Sequence, residues 1–372
     1  MTARRWLERL QAEWLLLAFA LLTLVLALVD PQPAAAWARW LQWPTLAGLA
    51  GLLIAIQGIR DSALVQHAAA VLAARTHSLR TLGLLLVASA ALLSMVLTND
   101  VSLFVLVPLT VAIGGLSNLP VLRMVVLEAL AVNAGSTLSP IGNPQNLLLW
   151  QHGQLSFLGF AWAMLPAAAV MFALVAALAW IWLPRERVAL LPEALDRQVV
   201  AGRLATLSLA ALAAMVLAME YGHAAYGAGA LLLVFTLVSP RSLARVDWLL
   251  LLTFAAIFLG LGHLAELPQV DAALDRFDFG QPLTLYLGGI LASQVISNVP
   301  ATVLLLDRAH DPVALAVAVN VGGFGLAIGS LANLIALRLA RQPQGLRALH
   351  RVSIPFLLVC APLVYLAWRW LG

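Results

Sequence analysis

Two stretches of this sequence place asparagine, glycine and hydroxyl side chains inside otherwise apolar surroundings. Asn133, Gly135, Gly142 and Asn146 lie at offsets 0, 2, 9 and 13 of the first, and Asn320, Gly322, Gly329 and Asn333 repeat those offsets in the second. Ile141 matches Ile328, and Leu147 matches Leu334. Upstream of each block sits a shorter polar interruption, Thr98-Asn99-Asp100 in one half and Ser297-Asn298-Val299-Pro300 in the other. An asparagine side chain both donates and accepts, so it can bridge backbone, ion and solute. Free N–H groups at a helix N-terminus suit an anion, and the carbonyls at a C-terminus suit a cation. Glycine permits close approach and unusual dihedrals. A single break of this kind reads as a kink. Four breaks in two matched pairs read as a binding site in a duplicated chain.

The medium that surrounds these residues is set by composition. Of 372 residues, 63% are hydrophobic and 10% charged, whereas a soluble domain carries roughly a quarter charged residues. Such a chain needs the bilayer as its solvent. The net charge is +4, and every basic residue is an arginine; nothing in this balance points to nucleic acid. Cys360 is the one cysteine and stands in an apolar run, so there is no disulfide framework and no Cys/His set with metal-ligand spacing. The seven histidines are scattered. The chain has no P-loop, no GxSxG elbow and no HExxH pair. An ATP-driven pump and a soluble-type enzyme are therefore disfavoured, no cofactor is expected, and a carrier driven by an ion gradient fits. A non-transporting membrane protein, such as an intramembrane enzyme or a scaffold, would show a nucleophile–base pair or one asymmetric polar site, and neither is visible.

The elements that position the polar breaks follow from hydropathy. The expectation is an all-α polytopic membrane protein with apolar runs over 14–29, 44–59, 122–150, 156–183, 203–221, 226–238, 247–264, 312–340 and 352–370. Segments 81–114 and 282–306 read instead as re-entrant helical hairpins, each with two apolar arms around a polar tip. Runs 122–150 and 312–340 have broken middles, 133–146 and 320–333. Irregular backbone at membrane depth is tolerated only where it lines a cavity or is buried in protein. Arg4 and Arg5 before the first run, and the small residues 34–36 after it, resemble a secretion signal. The length of the run favours an uncleaved first span.

With the N-terminus cytoplasmic and both hairpins re-entrant, only Arg39, Arg276, Arg308 and Arg369 of the 21 arginines fall outside. That is a strong positive-inside bias. The expected organisation is a first repeat over 1–183, a cytoplasmic linker over 184–202 and a second, inverted repeat over 203–372, with the C-terminus external. Trp43, Trp150 and Trp248, near span ends, read as interfacial anchors. Glu128 reads equally as a proton relay or as a residue near the inner interface.

Thr98-Asn99-Asp100-Val101 with Pro108, the run from Asn133 through Ser139-Pro140-Ile141-Gly142-Asn143-Pro144-Gln145 to Asn146, and Ser297-Asn298-Val299-Pro300-Ala301 resemble the ion-transporter superfamily. That group includes divalent-anion/sodium symporters, citrate transporters, arsenite permeases and a class of sodium/proton antiporters. The likeness runs from the first span to about Ala340, and its motifs specify superfamily better than substrate. It implies two inverted repeats, an elevator-like alternating-access mechanism, a homodimer in the bacterial inner membrane, and ion sites at the hairpin tips. Carried over by position, the implied binding residues are Thr98, Asn99 and Asp100 at one tip and Ser297, Asn298 and Val299 at the other. The broken spans contribute Asn133, Gly135, Ser136, Thr137, Gly142, Asn143 and Asn146, and their counterparts Asn320, Gly322, Gly329 and Asn333. Na⁺ would sit near Asn99, Asp100 and Asn298. Dicarboxylate members carry Ser-Asn-Thr-like tips, whereas this chain has an acidic first tip and lacks the second hydroxyl at the other. The implied function is secondary transport of a small anion, a carboxylate or oxyanion, coupled to Na⁺ or H⁺. Sodium/proton antiport and arsenite efflux are the alternatives within the group.

Overall fold

The computed structural model describes residues 14–65, 67, 76, 78–115, 118–187, 199–342 and 344–371. Arg4, Arg5, Arg9, Arg75 and Arg197, and the central part of the expected linker, lie outside the described residues. Within them the chain is helical. The first unit contains α1 (Trp14–Val29), α2 (Ala34–Trp40), α3 (Trp43–Asp61), α4 (Leu79–Leu97), α5 (Asn99–Gly115), α6 (Val121–Ser136), α7 (Pro144–His152) and α8 (Phe157–Trp182). The second contains α9 (Gly202–Glu220), α10 (Ala224–Val238), α11 (Pro240–Arg245), α12 (Trp248–Glu266), α13 (Pro268–Leu274), α14 (Pro282–Ile296), α15 (Asn298–Leu305), α16 (Pro312–Val321), α17 (Leu331–Ala340) and α18 (Gly345–Leu371).

Six of these helices, α3, α4, α8, α9, α12 and α18, are long and apolar enough to cross a membrane. Residues near their ends explain where they stop and start. Pro44, Pro282 and Pro312 occupy first-turn positions, where the missing N–H costs nothing. Ser156, Asp247 and Asp311 cap α8, α12 and α16 by accepting from backbone N–H groups.

Packing divides the helices into two groups. In one, α3 lies against α9 and α10, and α12 against α1. Small side chains let these helices approach: a Cβ at Gly51 would fall 2.3 Å from Met215 Sδ, and one at Gly58 2.2 Å from Ser208 Oγ. The other group holds both hairpins, α4–α5 and α14–α15, and both interrupted segments, α6–α7 and α16–α17. Within it α6 packs against α17 and α7 against α16. The first half of each interrupted segment thus lies beside the second half of the other. The two groups meet where α12 touches α15 and α3 touches α7.

Three expectations need revision. The breaks are narrower than 133–146 and 320–333, because α6 runs on to Ser136 and α16 to Val321. Asn133 and Asn320 therefore sit in final helical turns, each donating to the carbonyl four residues back, Ala129 O at 3.1 Å and Ala316 O at 2.8 Å. Trp150 is not an interfacial anchor. It is 3% exposed, with its indole N–H on Leu155 O and its ring edge-on to Phe157, because α7 ends inside protein. The final helix begins at Gly345, before the expected span, because its buried stripe already starts with Gly345 and Leu349 and runs on through Ser353, Phe356 and Cys360. The first hairpin arm, with 19 residues, is longer than the second, with 15.

Candidate functional site

Each hairpin reverses through one residue held at positive φ. Thr98 has φ 72° and ψ 155°, and Ser297 has φ 76° and ψ 157°. A non-glycine residue in this region stores about 1–3 kcal/mol of strain, which the surrounding structure must hold. The chain re-enters a helix at once. Asn99 Oδ1 accepts from Asp100 N at 2.9 Å, and Asn298 Oδ1 accepts from Val299 N at 3.0 Å. One turn further on, Ser102 Oγ and Thr302 Oγ1 donate to the carbonyls of Thr98 and Asn298, both at 2.8 Å. The two tips, about 200 residues apart in the chain, thus share the same reversal dihedrals and the same asparagine bond. Asn99 takes up the Asp100 N–H, and the Asp100 carboxylate keeps Oδ1 without a protein partner.

The interrupted segments are tied together by asparagines. Asn133 Nδ2 donates to Asn333 Oδ1 at 3.0 Å, and Asn320 Nδ2 donates to Asn146 Oδ1 at 2.6 Å. Asn143 Nδ2 donates to Asn320 Oδ1 at 2.9 Å, while Ser330 Oγ donates to Asn133 Oδ1 at 3.0 Å. Asn146 Nδ2 reaches Ser136 O at 3.1 Å, and Asn333 Nδ2 reaches Gly323 O at 2.9 Å. Every bond in these three pairs maps onto its partner when the two matched blocks are exchanged. Ser136 and Thr137 close the end of α6, their hydroxyls donating to Asn133 O at 3.3 and 2.8 Å.

The matched glycines mark close approaches. A Cβ at Gly135 would fall 2.1 Å from Ala91 O, and one at Gly142 2.4 Å from Ser136 O. At Gly322 it would meet Ser293 Cβ at 2.5 Å, and at Gly329 it would meet Gly322 O at 2.6 Å. Gly142 O also accepts from Asn99 N at 2.9 Å, which fastens the first tip to the first break.

Of the sequence-predicted residues, Asn99, Asp100, Asn298 and Val299 come together around one small cavity of roughly 10 Å³. Pro144, Gln145, Ser330 and Leu331 complete it, with Phe254 of α12 as one wall. All but Phe254 belong to the opening residues of α5, α7, α15 and α17 or to the residue just before, so four helix N-termini converge here. Asn133, Asn143, Asn146, Asn320 and Asn333 stand behind this cavity as its cross-linked frame. Three buried acceptors at or beside it have no protein partner: Asp100 Oδ1, Gln145 Oε1 and Ser297 Oγ. Unpaired buried polar atoms are costly. Unsatisfied acceptors mixed with helix N-termini make a place where a cation and an anion can share one site. Among the described residues no His/Cys/Asp/Glu cluster could hold a tightly bound metal.

Gln145, Ser330, Phe254 and Gln294 were not singled out by sequence. Gln145 aligns with Ala332 and Ser330 with Asn143 in the matched blocks, so matching by identity passes over both. Gln294 Nε2 donates to Gly322 O at 2.6 Å and Phe324 O at 3.0 Å, holding the second break from the hairpin arm. Phe254 is one apolar residue within an apolar helix and gives no signal. Glu128 is fully buried within the protein, where Thr110 Oγ1 donates to it. A roomier cavity, of roughly 440 Å³, lies elsewhere, among Trp150, Phe160, Pro312 and Trp368. Its lining is mainly apolar and lacks convergent polar groups, so it is not the candidate site.

An all-α polytopic chain whose buried polar breaks converge on one intramembrane cavity is, as a class, a membrane transporter. The chain belongs to the citrate transporter family, whose model matches residues 6–313. It is similar to the inner membrane protein YbiR of Escherichia coli (strain K12), 39% identical over 350 residues, which cover 93% of this chain and 94% of that protein. It is also similar to the uncharacterized transporter MJ0456 of Methanocaldococcus jannaschii, 29% identical over 334 residues, covering 87% and 88% of the two chains. A shorter likeness, 31% over 124 residues, links it to the silicon efflux transporter LSI3 of Oryza sativa subsp. japonica, covering 33% of this chain and 26% of that one.

Proposed function

We propose that this transporter is a gradient-driven carrier for a small anion, a carboxylate or oxyanion, coupled to Na⁺ or H⁺. The observation that carries the reading is the convergence of four helix N-termini on the cavity lined by both hairpin tips. Each N-terminus supplies partial positive charge and free N–H groups. Asp100 Oδ1 and Gln145 Oε1 are oxygen acceptors without partners. A Na⁺ near Asn99, Asp100 and Asn298, or a proton on Asp100, balances that carboxylate and lets an anion bind beside it. Binding is thereby ordered, cation first.

The exchange-matched asparagine bonds support two inverted repeats, 1–183 and 203–372, around the linker 184–202. In this reading the hairpins and interrupted segments travel as one body against the α1, α3, α9, α10 and α12 group, in an elevator-like cycle. The N-terminus is cytoplasmic, the C-terminus external, the membrane a bacterial inner membrane, and the working unit a homodimer. Reconstituted protein, given an inward Na⁺ or H⁺ gradient, is tested for uptake of citrate, sulfate, phosphate and arsenite. Gradient-dependent uptake of an anion that Asn298→Ala abolishes supports the reading. Cation exchange without any anion flux overturns it in favour of sodium/proton antiport, the second reading, which the unpartnered Asp100 carboxylate favours. Arsenite export alone overturns it in favour of an efflux permease.

A further inference from the structure

We infer that Arg60 forms an anion-receiving site at the mouth of the tip cavity, a step outside the cavity itself; this rests on the anion-carrier reading above. Arg60 ends α3, in the group of helices opposite the hairpins. Its guanidinium carbon lies 5.2 Å from the centroid of the Phe104 ring, on the hairpin arm α5. Phe104 stands one helical turn beyond Asp100, which lines the cavity, and is 36% exposed. The arginine head therefore lies across the two helix groups, over a partly exposed ring one turn from a residue that lines the cavity.

The carboxylates near Arg60 have partners elsewhere. The neighbouring carboxylate, Asp61, is engaged by Arg245 Nη1 at 3.3 Å and by Gln57 Nε2 at 3.0 Å. Asp247 is turned to its own helix, accepting from Leu250 N at 3.1 Å. Arg60 itself makes one long hydrogen bond, Nη1 to Gln57 Oε1 at 3.4 Å. Among the described residues no carboxylate lies within ion-pair distance of it. By contrast Arg80 rests on Trp180 with two bonds to Leu183 O, and Arg123 rests on Trp182 with one bond to Trp182 O. Those two arginines anchor the chain; Arg60 keeps most of its planar fork of donors unspent.

A guanidinium with free donors matches a carboxylate or an oxyanion in two-point geometry. Stacking on Phe104 fixes its plane and reduces what is lost on binding. The site also answers an electrostatic difficulty. Asp61 and Asp247 lie near Arg60, and Asp247 near Asp100, so an anion on this route passes carboxylates of which, among the described residues, only Asp61 is paired with an arginine, Arg245. Arg60 supplies the attraction along the route to the helix N-termini.

The test measures citrate, sulfate and phosphate binding, one at a time, by calorimetry on the full-length protein in lipid nanodiscs. Wild type, Arg60→Gln and Arg60→Lys are compared, with elution profile and melting temperature without anion as the folding check. For the anion that wild type binds, Arg60→Gln is expected to raise Kd about tenfold or more, and Arg60→Lys about threefold, because lysine keeps the charge and loses the fork. An unchanged Kd in Arg60→Gln overturns the inference and leaves the anion reading standing. Wild-type protein that binds none of the three anions overturns both. Should Arg60→Gln fail the folding check, Arg60→Lys decides: a weaker Kd supports the site, and an unchanged one refutes it.

Discussion

Truncating Asn133 to alanine removes a bond within its own helix, to Ala129 O at 3.1 Å, and two across to α17 and its cap, Asn333 Oδ1 at 3.0 Å and Ser330 Oγ at 3.0 Å. Truncating Asn320 removes the equivalent set, to Ala316 O at 2.8 Å, Asn146 Oδ1 at 2.6 Å and Asn143 Nδ2 at 2.9 Å. An interhelical side-chain hydrogen bond in a membrane protein contributes about 0.6 kcal/mol on average and about 1.7 at most. Two such bonds per asparagine, with buried partners left behind, give an expected loss of about 1–3 kcal/mol for either single variant. The sharper quantity is the coupling. In double-mutant cycles, Asn133→Ala with Asn333→Ala and Asn320→Ala with Asn146→Ala should each show about 0.6–1.7 kcal/mol, and the two values should agree. Equilibrium unfolding in mixed micelles of rising SDS content, followed by tryptophan fluorescence, measures both cycles. Coupling below about 0.3 kcal/mol in both pairs, within ordinary additivity, refutes the cross-linked frame. Strong coupling in one pair only refutes the equivalence of the two halves.

Gly135→Ala should destabilise by about 1–3 kcal/mol or more, since its Cβ meets the Ala91 backbone at 2.1–2.6 Å. Gly322→Ala should cost less, because its nearest contacts are Ser293 side-chain atoms at 2.5 and 2.6 Å; melting temperatures in the opposite order would refute this. Asp100→Asn keeps the backbone bond to Asn99 Oδ1 and should fold normally while losing the dependence of flux on Na⁺ and pH; an unchanged dependence removes Asp100 from coupling. Outside the spans, the Asp30 carboxyl is held below its ordinary 3.8 by hydrogen bonds, first from His263 and then from Gln32. Its stabilising effect is thus present in full above 3.8 and fades as pH falls through the lowered folded-state value. The melting-temperature gap between wild type and Asp30→Asn should close on acidification, and a gap that widens contradicts the pairing. Single cysteines near Arg80 and Asn118, in a Cys360→Ala background, should be labelled from the same side of the membrane; opposite sides would rule out a re-entrant first hairpin.

Much of the site could be read before any fold was known, because polar residues stand out sharply against a membrane sequence. Asn99 and Asn298 were legible as interruptions of apolar runs, and both line the cavity. The asparagine and glycine blocks were legible as a repeat at fixed spacing. Their roles were less so. Spacing cannot distinguish an asparagine that meets a solute from one that binds another asparagine 200 residues away, as Asn133 does with Asn333. Gln145, Ser330 and Gln294 were hidden because a two-fold arrangement need not repeat residue types, only positions.

By itself the sequence determined the bilayer as solvent, the helical class, the two interrupted segments and the hairpin tips. These follow from hydropathy, from the cost of unsatisfied backbone in hydrocarbon and from the rarity of polar residues there. Tertiary structure alone decided which polar atoms are satisfied and which are left over. Packing α6 on α17 and α7 on α16 engages the amides of Asn133, Asn146, Asn320 and Asn333. The same packing leaves Asp100 Oδ1, Gln145 Oε1 and Ser297 Oγ without partners where four helices begin. Hydrogen-bond satisfaction depends on what lies opposite in space, and adjacency between segments nearly 200 residues apart is a property of the fold.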